Sequence, residues 1–189
     1  MQAFLESLLV VAVAEIGDRT QLLSLVLASH FRKPVPILAG ILIATLANHA
    51  LAGLVGEWVG AAIDGPALRW ALGIGFLGMA AWALVPDQLG TGEARGTKRG
   101  GAFLATLVGF FIAEIGDKTQ IATAALAARF EDLLWVVIGT TSGMMIANLP
   151  IVVFGHFAGN SFDPRWARYG AALLLAAQGL LALFGARSV

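Results

Sequence analysis

Four carboxylates interrupt two apolar stretches in mid-span: Glu15 and Asp18 within residues 4–29, and Glu114 and Asp117 within residues 101–128. They belong to two copies of one heptapeptide, EIGDRTQ at 15–21 and EIGDKTQ at 114–120. A carboxylate near the centre of a bilayer costs at least about 2.5–3.5 kcal/mol, so it faces a bundle interior or an aqueous path and is functional by default. On a continuous helix Glu15 and Asp18 are i, i+3 neighbours on one face, and Gln21 continues that face. Glu114, Asp117 and Gln120 repeat the pattern. Two such faces brought together would make an all-oxygen site of four carboxylates and two amide oxygens, the donor set of hard divalent cations such as Ca²⁺, Mg²⁺ and Mn²⁺. Four carboxylates exceed the charge of one divalent ion. Either protons occupy some of them when metal is absent, or basic residues compensate. Crowded like charges favour holding protons, and trading those protons for metal is the chemistry of a cation–proton antiporter.

The flanking residues have competing readings. Arg19 and Lys118 follow Glu15 and Glu114 by four residues, within i, i+4 reach. They either balance the empty site or extend toward the helix end. A purely structural pairing of Glu15 with Arg19 and Glu114 with Lys118 does not account for Asp18 and Asp117. Gly17 and Gly116 serve either close helix packing or a helix break. Thr20 and Thr119 point away from the glutamates on an unbroken helix, so a metal role for them requires a broken one. Asn48 and Asn148 are additional candidate ligands or interhelical hydrogen-bond donors. Ser24 and Thr123 are expected to bond back to their own helices. His49 is either a proton-path residue or packing, and it has no symmetric partner in His156.

The elements that must position these residues are membrane helices. Of 189 residues, 58% are hydrophobic and 13% charged, with mean hydropathy +0.82, against about 25% charged in a soluble domain. Net charge is zero and no basic run suits nucleic acid. Cysteine is absent, which excludes disulfides and thiolate ligands. No HExxH-like pattern supports an intramembrane metalloprotease, and no enzyme is expected. The N-terminus has no positive n-region of a cleaved signal.

At about 20 apolar residues per crossing, six spans are expected, near 4–29, 35–57, 67–86, 102–128, 133–158 and 167–185. All must be helices, some of them broken. Trp58, Trp70, Trp82, Trp135 and Trp166 fall mostly near span ends, as interfacial anchors do. The glycine-rich stretch 87–100 reads as a flexible linker. It shares one side with Arg32, Lys33, Arg165 and Arg168, so the positive-inside rule places the linker in the cytoplasm and both termini outside.

A shift of 99 superposes the two motifs and pairs Phe4 with Phe103, Phe31 with Phe130, Gly40 with Gly139 and Gly56 with Gly155. Gly60 meets Gly159 and Asp64 meets Asp163, and a one-residue slip pairs Asn48 with Asn148. The chain therefore divides into a first three-helix repeat at 1–86, the linker at 87–100, and a second repeat at 101–189. An odd number of spans per half makes the second half inverted. The expected fold is an all-α integral membrane protein of six transmembrane helices in two inverted three-helix repeats, with its substrate site at the midplane where the halves meet.

Both motifs match E-x-G-D-[KR]-[ST]. Two copies, in the first and fourth of six spans, resemble the cation–proton exchanger family that includes bacterial manganese exporters and Golgi manganese/calcium transporters. The resemblance covers essentially the whole chain. It implies that Glu15, Asp18, Glu114 and Asp117 form the cation site, and that Mn²⁺ is exported for protons, with Ca²⁺ as a further cargo and no prosthetic group. The targeting extensions and acidic central loop of eukaryotic members are absent, which implies a compact prokaryotic form in the plasma membrane. The competing readings are a Ca²⁺ or broad divalent exchanger, an exporter of a small organic cation, and a membrane scaffold. The implied partners are the metal ion, protons and the lipid bilayer. A homo-oligomer is compatible with this pattern, which specifies no partner surface.

Overall fold

The computed structural model describes residues 1–63, 65–85, 101–154 and 165–184. The expected linker 87–100, Asp64, His156 and the rest of 155–164, and residues 185–189 lie outside the described residues, as do the side chains of 165–168 and 171. Every regular element among the described residues is a helix: α1 (Gln2–Glu15), α2 (Arg19–Phe31), α3 (Pro34–Ala62), α4 (Gly65–Ala83), α5 (Ala102–Glu114), α6 (Lys118–Phe130), α7 (Leu133–Phe154) and α8 (Arg165–Phe184). The first and fourth expected stretches are each two helices joined end to end. The other four are single helices. Two of them, α3 and α7, are long and apolar enough on their own to cross a bilayer.

The sequence of α3 explains its orientation. Thr45, Asn48 and His49 face the interior together with Ile41, Ala44 and Ala52, whereas Leu42, Ile43, Leu46, Leu51, Leu54 and Val55 are exposed. A soluble helix would carry its polar residues on the outer face. Here the outer surface is aliphatic and the polar groups are inside, the arrangement that suits a lipid surround. Trp58, Trp70, Trp82 and Trp135 are likewise exposed.

The two halves of the chain interleave. The helix α3 packs on α5 and α6, and α7 packs on α1 and α2. Glycines set these crossings, and two of them, Gly40 and Gly139, correspond at a shift of 99. At Gly40 on α3, an added Cβ would meet Phe103 O at 2.9 Å and Thr106 Cβ at 2.8 Å on α5. At Gly139 on α7 it would meet Phe4 O at 2.5 Å and Ser7 Cβ at 3.0 Å on α1. Small residues permit this close approach where helix association relies on packing. The tightest crossing is Gly56 on α3 against the Ala124 backbone of α6, where a Cβ would lie 2.7 Å from the carbonyl carbon. Backbone cannot rotate aside, so Gly56→Val is expected to force α3 and α6 apart. The overpacking cost is about 1–3 kcal/mol or more, read as a lower thermal midpoint in detergent. Gly78→Ala, where a Cβ would meet open space, is the matched control, and equal midpoints for the two would refute the crossing.

A second tie lies among α1, α6 and α8. Glu6 Oε2 accepts from Arg129 Nη1 at 3.0 Å and from Gln178 Nε2 at 3.0 Å, and Arg129 also donates to Gln178 Oε1. This cluster fastens the N-terminal helix to the last one, away from the two motifs.

Candidate functional site

Each motif is a helix break built the same way. The helix α1 ends at Glu15 and α5 at Glu114, after which Ile16 and Ile115 turn to extended backbone. Gly17 follows at φ 81° and Gly116 at φ 74°, in the left-handed region that glycine enters without steric cost. Asp18 and Asp117 then cap the next helices, their carboxylates accepting from Thr20 N at 3.2 Å and Thr119 N at 3.3 Å. Three residues on, Gln21 Oε1 accepts from Gly17 N at 2.8 Å and Gln120 Oε1 from Gly116 N at 2.7 Å. This reciprocal closure by an Asp cap and a Gln three residues later is a variant of the capping box. Glycine frees the backbone, and the cap satisfies the amides that the break exposes.

The breaks correct the expectation of one continuous helical face. Glu15 and Asp18 sit on two different helices, and the same holds for Glu114 and Asp117. Gly17 and Gly116 sit at helix breaks rather than at a close helix packing contact. The amide oxygens of Gln21 and Gln120, expected as candidate ligands, are committed to the cap. Gln21 Nε2 also donates to Ala147 O at 3.1 Å. The threonines gain what an unbroken helix denied them. Thr20 Oγ1 donates to Glu15 Oε1 and lies 3.1 Å from Asp18 Oδ2, while Thr119 Oγ1 lies 3.0 Å from both Glu114 Oε2 and Asp117 Oδ2. Each threonine thus joins the glutamate before the break to the aspartate after it.

All four carboxylates are buried, none more than 2% exposed. The basic residues reach them across the motifs. Lys118 Nζ pairs with Asp18 Oδ1, and Arg19 Nη2 lies 3.5 Å from Asp117 Oδ1. The pairs Lys118–Asp18 and Arg19–Asp117 thus run from one motif to the other, and the continuous i, i+4 spacing within each motif ends at the break. Lys118 is 4% exposed and does not extend toward a helix end. Arg19, half-buried, also donates to Ala113 O at 2.7 Å, satisfying a carbonyl at the end of α5. Among the described residues no three acidic or histidine side chains converge closely enough to hold an ion together.

Polar residues of α3 and α7 close the cluster. Asn148 Nδ2 donates to Glu15 Oε1 at 3.0 Å and its Oδ1 accepts from Ser24 Oγ at 2.5 Å. Ser24 therefore does not bond back to its own helix, whereas Thr123 does, donating to Thr119 O at 2.8 Å. Asn48 Nδ2 donates to Phe111 O at 3.1 Å and touches no carboxylate. The residue of α3 beside a glutamate is His49, its Nε2 4.0 Å from Glu114 Oε2. His49 precedes Asn148 by 99, the same shift that matches the glycine crossings. The register thus runs without the expected slip, and the counterpart of Asn148 is His49 rather than Asn48. An unslipped alignment would have revealed this. The match of Ala47-Asn48 with Ala147-Asn148 concealed it.

No solved structure matches the chain. A protein of Vibrio cholerae whose name proposes manganese export is 53% identical over 153 residues, covering 80% of this chain and 76% of its own length. A GDT1-like protein of Schizosaccharomyces pombe is 29% identical over 83 residues, 44% of this chain and 31% of its own. The model of the family described as divalent cation/proton antiporter GDT1 matches residues 3–91 and again 102–189. With both motifs inside those matches, the chain belongs to the GDT1 family of divalent cation/proton antiporters.

Proposed function

We propose that this antiporter exports Mn²⁺ in exchange for protons, through a site that uses Glu15, Asp18, Glu114 and Asp117 in turn for metal and for protons. The observation that carries this reading is the pair of matched helix breaks that deliver four buried carboxylates to the contact between the two halves of the chain. The name of the Vibrio cholerae relative favours manganese. The architecture we infer is six membrane spans in two inverted three-helix repeats, 1–86 and 101–189, joined by a cytoplasmic linker at 87–100. Both termini lie outside, in a prokaryotic plasma membrane. The 99-residue correspondence of the breaks and of the Gly40 and Gly139 crossings supports it. Broken helices at a repeat interface suit cation transport, because half-helix ends present oriented dipoles to charged groups.

Arg19 and Lys118 act as resident counter-charges. With both protonated, four ionised carboxylates leave two negative charges in the cluster. One divalent ion or two protons would neutralise them, so exchange of one Mn²⁺ for two protons is expected to be electroneutral. In proteoliposomes with an imposed pH gradient, Mn²⁺ should accumulate at a level unchanged by a valinomycin-set potential. Moving one net charge per cycle would alter the accumulation ratio by roughly 50-fold per 100 mV. Absence of any gradient-driven Mn²⁺ flux from a folded preparation would overturn the function itself. A potential-dependent flux would overturn only the charge balance.

A further inference from the structure

Oxygen ligands do not by themselves separate Mn²⁺ from Ca²⁺, since both accept carboxylates. One departure from symmetry in the cluster bears on that choice. Where Asn148 hydrogen-bonds Glu15 directly, its counterpart His49 stands off from Glu114 by 4.0 Å. That separation is too long for a hydrogen bond. It suits two ligands on either side of one ion at bonds of about 2.0–2.5 Å. His49 is fully buried, and neither Nδ1 nor Nε2 has a hydrogen-bond partner among the described residues. Glu114 Oε1 and Asn48 Oδ1 are likewise without one. Buried polar atoms left unsatisfied are costly and rare, and here the neighbouring His49 and Glu114 both present them. The site would complete itself by gaining a cation that accepts both nitrogen and oxygen.

We propose that His49 is a direct nitrogen ligand of the transported ion and sets its preference for a first-row transition metal over Ca²⁺ and Mg²⁺. The inference rests on the reading that Glu114 and its three companions bind the cargo. A neutral imidazole offers one lone pair, which transition-metal ions accept readily and Ca²⁺, an oxygen-seeking ion, does not. The glutamate pairs with the imidazole from the other helix, so the discriminating ligand and a charge-bearing ligand come from opposite halves of the chain.

Pulsed electron paramagnetic resonance on Mn²⁺-loaded wild-type protein should show coupling to an imidazole ¹⁴N. The coupling should persist when His30 and His156 are replaced and vanish in His49→Gln. In proteoliposomes, the preference of His49→Gln for Mn²⁺ over Ca²⁺, measured by competition, should fall by about tenfold or more, with proton-driven Mn²⁺ flux still detectable. If His49→Gln does not fold, His49→Asn and the wild-type spectrum carry the test. Bound Mn²⁺ without ¹⁴N coupling, coupling that survives loss of His49, or an unchanged ion preference would each overturn the assignment while leaving the carboxylate site standing. Wild-type protein that neither binds nor moves Mn²⁺ would remove the underlying reading instead.

Discussion

Glu114→Gln is expected to lower proton-driven Mn²⁺ flux by at least about 100-fold, and Glu15→Gln to do the same. Even the loss of a residue that merely supports a metal ligand costs 10–100-fold in affinity or activity, and these two are proposed as ligands and as proton carriers. The substitution is close to isosteric. In either variant the new amide oxygen could still accept from Thr119 or Thr20, whose hydroxyls donate to the native carboxylates, so the break and its cap should survive. What is removed is one negative charge and one exchangeable proton. Asn148→Ala supplies the graded comparison. It deletes the 3.0 Å hydrogen bond that orients Glu15 but leaves all four carboxylates, and should cost about tenfold. Flux in reconstituted vesicles is the measurement, with thermal midpoints confirming that each variant is folded. Glu114→Gln transporting at the wild-type rate would eliminate the proposed site, and Asn148→Ala matching the glutamate variants would show that geometry, not charge, sets the rate.

Much of this was legible in the residues and some was not, for physical reasons. The 99-residue register was readable because it recurs in glycines that need close contact, and Gly40 and Gly139 occupy matching crossings. The helix breaks were harder to see, since a glycine in an apolar span reads equally as packing until its φ is known. A signal was present: Gly-Asp-x-x-Gln is a capping pattern, and it marks Asp18 and Asp117 as the caps of new helices. Once the helix ends, i, i+4 arithmetic no longer applies, and the basic residues reach the carboxylates of the other motif. Asn48 illustrates the opposite failure. A local identity drew it into alignment with Asn148, although its neighbour His49 holds the equivalent place in space. Contacts between halves are a three-dimensional property, and a one-residue slip is enough to exchange a carbonyl-binding residue for one beside the glutamate.

Lys118→Met is expected to be costly to the fold yet to bind Mn²⁺ more tightly than wild type. Lys118 is buried and its ammonium pairs with buried Asp18. Removing one partner of a buried pair costs about 3–5 kcal/mol, because the other charge stays in place. The thermal midpoint in metal-free detergent should therefore fall sharply. Asp18→Asn combined with Lys118→Met removes both charges and should recover most of that loss, whereas transport should not return. In the single variant the metal no longer competes with a tethered cation for Asp18. Ligand stabilisation grows as RT ln(1 + [L]/Kd), so the Mn²⁺-induced rise in midpoint should exceed that of wild type at every concentration. Release should suffer correspondingly, because the ammonium that takes the place of the departing ion is missing, and turnover should drop even as affinity rises. A Lys118→Met protein with weakened Mn²⁺ binding would mean that Lys118 shapes the site without competing for it. A double variant no more stable than the single would mean that the Asp18 pair is not what Lys118 is there to satisfy. Tighter binding joined to slower turnover is the combination expected of a resident counter-charge. Arg19, paired with Asp117 from the other motif, should give a weaker version of it, because its side chain is 27% exposed and solvent already screens it.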